Sequence, residues 1–342
     1  MSSSANIPSI LTGKNKKVGI ALIGLGYYST DVLAPALQET EIAYLAGIVT
    51  GTPEKEKIWA EKYNIPKKNI YNYQNFDDIE NNPDIDIVYV VLPNSMHKEY
   101  TIRAARAGKH VICEKPMAMN PGECREMIEA CEENNVKLAI GYRLHHEKNT
   151  REVMRLGQEE VFGKVLHINC GAAYRNTLFN HWKWQKKMGG GAMMDMGVYP
   201  LQAARYVTGE EPVSVSAQTF VLRPEIITDV DEATTFQLQF PSGTVANLNT
   251  GFHASFNYLH STARKGWFEL RPFSGYGGIK GRSSKGPIEF PNVNQQATQM
   301  DSVAKNVLND EPVRVPGEEG LRDMIVVDAV YKSINTGEKI DL

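Results

Sequence analysis

Short apolar runs and longer helical patterns alternate over residues 17–142. Each run is too short for a helix and rich in residues that favour strands, and apolar positions at helical spacing follow it. Apolar strands that alternate with helices are typical of βαβ units, whose parallel sheet is buried on both faces. We therefore predict an α/β domain with a parallel sheet in this part of the chain. Its predicted strands are residues 18–23, 43–49, 85–92, 110–113 and 137–141.

The pattern changes after a predicted linking helix at residues 148–158. Two predicted strands, 234–240 and 244–250, follow each other directly and are joined by Pro241-Ser242-Gly243, which is typical of a hairpin. We therefore predict that residues 143–342 form an α+β domain with a large, open, mostly antiparallel sheet. The other predicted elements of this half are a loop or irregular strand at 273–290 and helices at 295–309 and 318–335.

Composition places the chain among ordinary globular proteins. Of its 342 residues, 42% are hydrophobic and 23% are charged, and the net charge of -3 lacks the basic excess of a nucleic-acid binder. No apolar stretch approaches the roughly 18 consecutive residues that a membrane span needs. The four cysteines have the spacing of neither a disulfide framework nor a zinc site, which predicts reduced thiols and a cytoplasmic protein. The polar first 16 residues, with a run of serines and a basic end, predict an N-terminal arm at 1–16.

His145, His146 and Glu147 carry side chains of the types that bind metals. Adjacent residues point in different directions on a strand or a helix, so these three do not converge on one ion. We therefore predict no metal site.

A glycine-rich turn follows the first predicted strand and opens the first helix. In a dinucleotide site, a glycine such as Gly24 makes the tight turn, and a second, such as Gly26, lets the backbone approach the pyrophosphate at a helix N-terminus. A third position commonly holds Gly or Ala for close packing, and here it holds Ser29. The place of the turn, directly after a buried strand, favours a dinucleotide site over an ordinary turn. The α/β domain is therefore predicted to be a Rossmann domain.

The end of the second predicted strand addresses the choice between NAD and NADP. NAD enzymes commonly place an acidic residue there, on the ribose 2′-hydroxyl. This chain has none at the strand end, and Glu54 already belongs to the next helix. Thr50, Thr52 and Lys55 suit a 2′-phosphate, which predicts NADP and makes NAD the lesser alternative. The other interpretation of Lys55 is a solvated lysine on that helix.

Lys115 lies just beyond the predicted strand 110–113, and Pro116 restricts it to an extended conformation. Ligands in open α/β sheets bind beyond the carboxyl ends of the strands, so Lys115 is predicted to face the ligand crevice. Spaced motifs, this step among them, cover nearly the whole chain from Lys17. They are Gly24-x-Gly26, Leu92-Pro93-Asn94-Ser95-x-His97, Gly108-Lys109-His110-Val111, Glu114-Lys115-Pro116, Gly141-Tyr142-Arg143, Gly189-Gly190-Gly191-x-x-x-Asp195-x-Gly197-x-Tyr199 and Pro312-Val313-Arg314. In this order they resemble the family of glucose–fructose oxidoreductase and inositol dehydrogenase, the Gfo/Idh/MocA family.

Within that family the chain is most similar to the glucose–fructose oxidoreductase branch. The signs are Gly26-Tyr27-Tyr28, the second strand without an acid, and a tyrosine rather than a histidine at position 199. The resemblance implies hydride transfer between a nicotinamide cofactor and a sugar or polyol, with Lys115, Asp195 and Tyr199 as catalytic residues. The cofactor-binding positions, including those of the glycine turn and the second strand, are then Gly24, Gly26, Tyr27, Tyr28, Thr50, Lys55, Leu92, Pro93, Asn94, His97, Glu114, Lys115 and Arg143.

The segment before the glycine triplet departs from the family pattern. Many members carry Trp-Arg there, whereas this chain has His181-Trp182-Lys183-Trp184. Lysine lacks the bidentate fork of arginine, so we assign Lys183 no role in binding cofactor or substrate. His181 and the two tryptophans are open to two interpretations, a wall on which a sugar stacks or ordinary core packing.

Asp195 and Tyr199 are four residues apart in a predicted helix, so they share a face. Oxidising an alcohol requires a base within hydrogen-bond reach of its hydroxyl. The ordinary pKa of tyrosine, near 10, is too high for this task unless a cation such as Lys115 favours the phenolate. In this scheme Tyr199 carries the proton, Lys115 polarises the reacting oxygen and Asp195 orients the lysine or the substrate.

These expectations describe a cytoplasmic, NADP-dependent oxidoreductase acting on a sugar or sugar-derived hydroxyl or carbonyl group. The alternative among enzymes is a sugar–sugar transhydrogenase that does not release its NADP. The alternative of another class is a non-catalytic regulator that senses a nucleotide or sugar, and loss of Lys115, Asp195 or Tyr199 would favour it. We expect neither a nucleic-acid nor a membrane partner. We also expect a homodimer or homotetramer formed through the C-terminal sheet, because an exposed sheet face of that size is rarely left wet.

Overall fold

The computed structural model describes residues 17–227 and 229–342, so the arm predicted at 1–16 lies outside the described residues. Within these ranges the first layer is a parallel sheet, as the alternating pattern predicts. Its strands are β1 Val18–Ile23, β2 Ala43–Val49, β3 Ile70–Tyr71, β4 Ile87–Val90, β5 His110–Cys113 and β6 Leu138–Ile140. Their order is β3-β2-β1-β4-β5-β6, which places β1 and β4 at the centre, where the strand order reverses.

Helices cover both faces of this sheet. The helices of the described chain are α1 Ala34–Leu37, α2 Pro53–Tyr63, α3 His97–Arg106, α4 Pro121–Glu133, α5 Lys148–Gln158, α6 Val198–Thr208, α7 Gln295–Leu308 and α8 Gly317–Thr336. Pro is the first residue of α2 and of α4, where its missing N–H costs nothing. Asn120 caps α4 by accepting from the Glu123 amide, whereas the Thr52 side chain makes no capping bond to α2. Among the helices of the described ranges, none combines the length and apolar character needed to cross a membrane.

A second, nine-stranded sheet occupies the C-terminal half of the described ranges. Its strands are β7 Val165–Ala173, β8 Ser214–Phe220, β9 Ala233–Gln239, β10 Val245–Gly251, β11 Phe256–Ala263, β12 Gly266–Leu270, β13 Gly281–Ser283, β14 Gly286–Ile288 and β15 Ile340–Asp341. Their order is β14-β13-β12-β11-β7-β10-β9-β8-β15, with β7 and β10 parallel and the other neighbours antiparallel. The predicted hairpin is β9–β10, and the predicted fold class is confirmed.

One face of the second sheet packs against α5, α6 and α8. The other face, which we call the open face, carries polar and aromatic side chains that stay partly exposed. Gln237 on β9 donates to Asn247 on β10, and His260 on β11 stacks on Trp267 of β12. Buried and exposed residues alternate along these strands, so one face of the sheet lies in the core and the other is the solvent-exposed open face.

The last two long helices connect the two sheets. The apolar face of α7, with Met300 and Ala304 fully buried, packs on the same side of the first sheet as α1. Asp301 of α7 accepts from the backbone amides of Ile42 and Ala43 at 2.8 and 2.9 Å, at the start of β2. Helix α8 packs against α4 of the first layer and β8 of the second. A boundary at residues 142 and 143 therefore stays a prediction, because α7 lies after it in sequence yet covers the first sheet.

Candidate active site

The glycine turn after β1 has the geometry that its residue types predict. Gly24 has a φ of +91°, and a Cβ there would lie 2.3 Å from the carbonyl oxygen of Val91, so only glycine fits. A Cβ at Gly26 would meet nothing within 4 Å, so this backbone is open to a ligand. Ser29 is buried, and its hydroxyl donates to the Gly24 carbonyl at 2.6 Å. This bond closes the turn and explains why a serine is tolerated where Gly or Ala is usual.

The end of β2 lies beside this turn. The Lys55 ammonium donates to the carbonyl of Leu25 at 2.7 Å, so Lys55 extends over the glycine turn and is held there. Thr50 is buried, and its hydroxyl accepts from the Thr52 amide at 3.2 Å. The structure thus brings Thr50, Thr52 and Lys55 to the edge of the predicted dinucleotide site.

The loop after β4 uses its polar side chains on protein contacts. His97 is buried with Nδ1 2.9 Å from the Pro116 carbonyl oxygen and Nε2 2.9 Å from that of Leu92, which ties this loop to the end of β5. Burial lowers the pKa of His97. Asn94 donates to the Gly189 carbonyl at 2.7 Å and so joins the loop to the glycine triplet of the second half. Roles of Leu92, Pro93, Asn94 and His97 in contacting a cofactor stay predictions.

Glu114 is buried directly before Lys115. Its carboxylate accepts from the Tyr89 hydroxyl at 2.7 Å and from the Lys115 amide at 3.2 Å. Burial raises the pKa of Glu114. A Cβ at Gly141 would lie 2.7 Å from this carboxylate, so the glycine makes room for it.

The two adjacent tyrosines of the predicted cofactor site have different environments. Tyr27 is 70% exposed beside the glycine turn. Tyr28 packs on the Tyr276 ring at 5.9 Å, and its hydroxyl accepts from Gln296 at 3.3 Å. Burial raises the pKa of Tyr28 well above its ordinary value. Tyr27 is therefore the more exposed of the two, while Tyr28 is half-buried.

Lys115, Asp195 and Tyr199 meet where the two sheets adjoin. The Lys115 ammonium donates to the backbone oxygen of Asp195 at 2.7 Å, lies 3.6 Å from its Oδ1 and sits 4.6 Å from the centre of the Tyr199 ring. Asp195 lies in a π-helical turn, Met193–Gly197, that precedes α6, which carries Tyr199. Turns of this kind are frequent at functional sites. Lys115 thus contacts both of the other predicted catalytic residues, although the helix from Asp195 to Tyr199 is not regular.

A second lysine reaches the same carboxylate. Lys183 donates to Asp195 Oδ2 at 2.7 Å and to the Tyr174 hydroxyl at 3.2 Å, and Tyr174 donates to the same Oδ2 at 3.0 Å. Burial by itself raises the pKa of Asp195, but Lys183 and Lys115 overcome it and lower this pKa to about 2. Residue type predicts no role for Lys183 in binding cofactor or substrate, whereas the structure places it inside the site.

Arg143 provides another cation near the Tyr199 hydroxyl. It is buried, donates to that hydroxyl at 3.5 Å and is held by the carbonyl oxygens of Ser274 and Gly275 at 2.6 and 3.0 Å. Its guanidinium also lies 4.6 Å from the centre of the Tyr276 ring. Burial raises the pKa of Tyr199, while Lys115 and then Arg143 lower it, and the net shift is downward. Burial by itself lowers the pKa of Lys115, but Tyr199 and Asp195 raise it by more. The net shift is upward, so Lys115 stays charged.

Other candidates lie outside this cluster or at its border. Trp184 packs on Phe252 at 5.0 Å and on Phe179 at 5.8 Å, and is half-buried, so both interpretations of the aromatic segment stay open. Burial lowers the pKa of His145 to about 3, which keeps it neutral. Among the described residues, no group of three or more His, Cys, Asp or Glu side chains is arranged to hold a metal. The cysteines Cys113, Cys124, Cys131 and Cys170 are buried and free.

Comparison with known families decides the assignment. Residues 18–142 match the oxidoreductase family with an NAD-binding Rossmann fold, and residues 150–270 match the GFO/IDH/MocA C-terminal domain. The chain belongs to the Gfo/Idh/MocA family of oxidoreductases. The predicted family is therefore confirmed, and with it an NAD(P)-binding Rossmann domain.

Three related proteins each cover between 93% and 97% of this chain. An aldose–aldose oxidoreductase from Caulobacter crescentus, solved with glycerol, is 39% identical, with 96% of this chain and 100% of that chain covered and a TM-score of 0.93. A 3-ketoreductase from Actinomadura kijaniata, solved with TDP-benzene and NADP, is 25% identical, with coverages of 93% and 98% and a TM-score of 0.79. D-xylose 1-dehydrogenase [NADP(+)] from Haloarcula marismortui is 26% identical over 97% of this chain and 95% of its own length.

The two turn glycines provide a matched pair of substitutions in this family member. Gly24→Ala places a Cβ against the Val91 carbonyl at a positive φ, and a strained non-glycine residue of this kind costs about 1–3 kcal/mol, so the free energy of unfolding should fall by at least that much. Gly26→Ala should leave stability unchanged and weaken binding of the dinucleotide, because its methyl group occupies the open approach to the backbone. Chemical denaturation and cofactor fluorescence titration measure the two effects. An equal loss of stability in both variants would contradict the different roles given to Gly24 and Gly26.

Proposed function

We propose that the protein is an NADP-dependent oxidoreductase that transfers hydride between the nicotinamide and a hydroxyl or carbonyl group of a sugar. The observation that carries the proposal is the contact of Lys115 with both Asp195 and Tyr199, just beyond the carboxyl end of β5, where ligands bind in open α/β sheets. Support for a sugar comes from two relatives named for aldose and D-xylose chemistry.

The proposed cofactor site fits a dinucleotide at the glycine turn. Gly26 leaves open space where a pyrophosphate needs to approach, and Tyr27 is exposed beside it. When bound, the nicotinamide supplies the hydride donor or acceptor. We propose that the remaining cofactor-binding residues are those named in the sequence analysis, with Glu114 and Arg143 nearest the reacting end.

The proposed proton carrier is Tyr199. In the oxidative direction its phenolate takes the hydroxyl proton of the substrate, and in the reductive direction its phenol returns that proton to the forming alkoxide. Lys115 and Arg143 both stabilise the phenolate, because each places positive charge at the ring or hydroxyl within a buried site. Lys115 also stabilises negative charge on the reacting oxygen. Asp195 keeps Lys115 charged and in place.

NADP is the proposed cofactor because no acidic side chain stands at the end of β2 and Lys55 is anchored over the glycine turn. Thr50 and Thr52 complete this edge. The relatives solved with NADP or named for it support the same choice.

A sugar–sugar transhydrogenase with non-released NADP is the alternative that the 39% identity to an aldose–aldose oxidoreductase favours. It differs from the main proposal in one property, retention of the cofactor between turnovers. Reduced-nicotinamide absorbance that survives dialysis of the purified protein would favour this alternative. The non-catalytic regulator is disfavoured by the intact contact of Lys115, Asp195 and Tyr199.

Substitutions at Tyr199 and Lys115 test the proposed chemistry. Tyr199→Phe removes only the proton carrier and should lower kcat by about 10²–10⁴-fold, while NADP affinity changes little. Lys115→Met should cost at least as much, and the double variant should be little worse than the worse single variant, because the residues act as a unit. Turnover on an active aldose and cofactor fluorescence measure this.

The matched control is Tyr44→Phe, which removes an exposed hydroxyl bonded to the Asp84 carbonyl. It should leave kcat unchanged. Near wild-type turnover in Tyr199→Phe would remove Tyr199 from the mechanism.

Lys55 tests the choice of cofactor. Lys55→Ala should lower affinity for NADP roughly ten- to a hundredfold, because a charge-assisted contact to phosphate is worth about 1.5–3 kcal/mol, and should leave NAD affinity nearly unchanged. Lys57→Ala, on the same helix and also exposed, is the control. Equal wild-type affinity for NAD and NADP, or no effect of Lys55→Ala, would refute the proposed cofactor.

We propose that the protein is cytoplasmic, because its four cysteines are free and buried.

We also propose that the protein forms a homodimer or homotetramer through the open face. Light scattering at micromolar concentration should give a dimer or tetramer. Gln237→Glu, which places a charge in the middle of the open face, should weaken the assembly, and Gln74→Glu on the first domain should not. A wild-type monomer would contradict this assignment.

A further inference from the structure

The two carboxylate oxygens of Asp195 have different neighbours. Oδ2 accepts from Lys183 at 2.7 Å and from the Tyr174 hydroxyl at 3.0 Å. Oδ1 has Lys115 at 3.6 Å, longer than a hydrogen bond, because the Lys115 ammonium donates instead to the Asp195 backbone oxygen. Asp195 is thus held on one side by the Lys183 and Tyr174 pair and faces Lys115 with the other side.

The backbone around Lys183 is held as closely as its side chain. Its carbonyl oxygen accepts from the Gly191 amide at 2.9 Å, and its own amide donates to His181 Nδ1 at 3.3 Å. A Cβ at Gly190 would lie 2.4 Å from the Lys183 carbonyl oxygen, so the glycine triplet closes around this residue. The turn that leads into the Asp195 helix therefore also fixes the position of Lys183.

Tyr174 completes the arrangement from another strand. It follows β7, its ring packs edge-on against Phe252 at 5.3 Å, and its hydroxyl both accepts from Lys183 and donates to Asp195. Because the hydroxyl proton is used on Asp195, Tyr174 is a brace for that carboxylate. Burial and then Asp195 raise the pKa of Tyr174, so this proton stays in place.

We propose that Lys183, together with Tyr174, is a positioning residue that holds the Asp195 carboxylate out of a direct hydrogen bond with Lys115, so that Lys115 remains on the Tyr199 ring. The inference rests on the proposed function, since it concerns how Lys115 is kept available to Tyr199. It gives Lys183 a role that its departure from the Trp-Arg pattern alone does not reveal.

The physical reason is competition for one buried anion. When one partner of a buried ion pair is removed, the charge of the remaining partner is left uncompensated at a large cost. Contact with the nearest remaining opposite charge lowers that cost. Without Lys183, that charge is Lys115, whose ammonium is 3.6 Å from Oδ1. A short rotation of the carboxylate would turn this 3.6 Å ion pair into a direct hydrogen bond and draw the ammonium off the Tyr199 ring.

Charged and titratable groups on several elements act electrostatically on Asp195. They are Lys115 after β5, Tyr174 after β7, His181 and Lys183 before the glycine triplet, and Tyr276 in the loop before β13. Lys183 is the strongest of the influences that lower the Asp195 pKa. In the oxidative direction the acid limb reports the ionisation of Tyr199, the proposed base. Loss of Lys183 should draw Lys115 off the Tyr199 ring and so raise the Tyr199 pKa, which moves this limb to higher pH.

The test compares Lys183→Met, Lys183→Arg and the exposed control Lys187→Met, with kcat, KM for NADP and the pH profile of kcat/KM as readouts. Lys183→Met should lower kcat about ten- to a hundredfold, the size of one lost charge-assisted bond, leave KM for NADP unchanged and move the acid limb to higher pH. Lys183→Arg should restore both kcat and the acid limb, because arginine keeps the charge. Lys187→Met should match the wild type.

An unmoved acid limb in Lys183→Met would overturn the inference, whatever the change in kcat, because a structural role alone does not move it. If Lys183→Met does not fold, Tyr174→Phe removes the other donor to Oδ2 and keeps the ring on Phe252. It should shift the acid limb in the same direction by less, and an unmoved limb there would overturn the inference too. Tyr199→Phe, measured in parallel, distinguishes failure of the proposed function from failure of this inference. Full activity of Tyr199→Phe would overturn the proposed proton carrier. An inactive Tyr199→Phe together with an unmoved acid limb in Lys183→Met would overturn only the role of Lys183.

Discussion

The contact between Lys115 and Asp195 is the interaction on which the site depends. Lys115 lies two residues beyond β5 of the first sheet, and Asp195 precedes α6, which packs on the second sheet. One buried ion pair therefore joins the two halves. Burying a lysine is costly unless an anion and hydrogen bonds compensate it. Here the Asp195 backbone oxygen and carboxylate do so, which leaves the rest of the ammonium for the Tyr199 ring.

The surrounding elements hold that contact in place. Asn94 binds the Gly189 carbonyl, so the loop after β4 holds the entry to the Asp195 turn. On the other side, the loop carrying Ser274 and Gly275 holds Arg143 against Tyr199. Helix α7, which crosses back to the first sheet, supplies Gln295 as a further partner of Arg143. The catalytic cluster thus lies between parts of the chain that are far apart in sequence.

Local pattern predicts most of this fold and part of the site. The bounds of β2, β5 and α5 follow from apolar runs and helical spacing, and the meeting of Lys115, Asp195 and Tyr199 follows from the family resemblance together with strand-end geometry. Strand β3 has two residues and pairs only at the sheet edge, so no periodicity reveals it. The sequence pattern therefore does not predict β3.

Sequence patterns do not predict the contacts that shift the pKa values of Asp195 and Tyr199. Lys183 lies 12 positions before Asp195, and Arg143 lies 56 before Tyr199, so neither pair shares a helix face. Residue type was misleading for Lys183, because the lack of a bidentate fork does not matter for one bond to one carboxylate oxygen. The signal available was its place directly before the glycine triplet.

The central claim is that Lys115 and Arg143 together make Tyr199 a proton carrier by lowering its pKa. The direct measurement is the pH titration of tyrosinate absorbance in the cofactor-free protein, taken as the difference between the wild type and Tyr199→Phe. The account predicts one ionisation in this difference, below the ordinary tyrosine pKa of about 10, which moves to higher pH in Lys115→Met. A difference curve that titrates at or above the ordinary value in the wild type would contradict it.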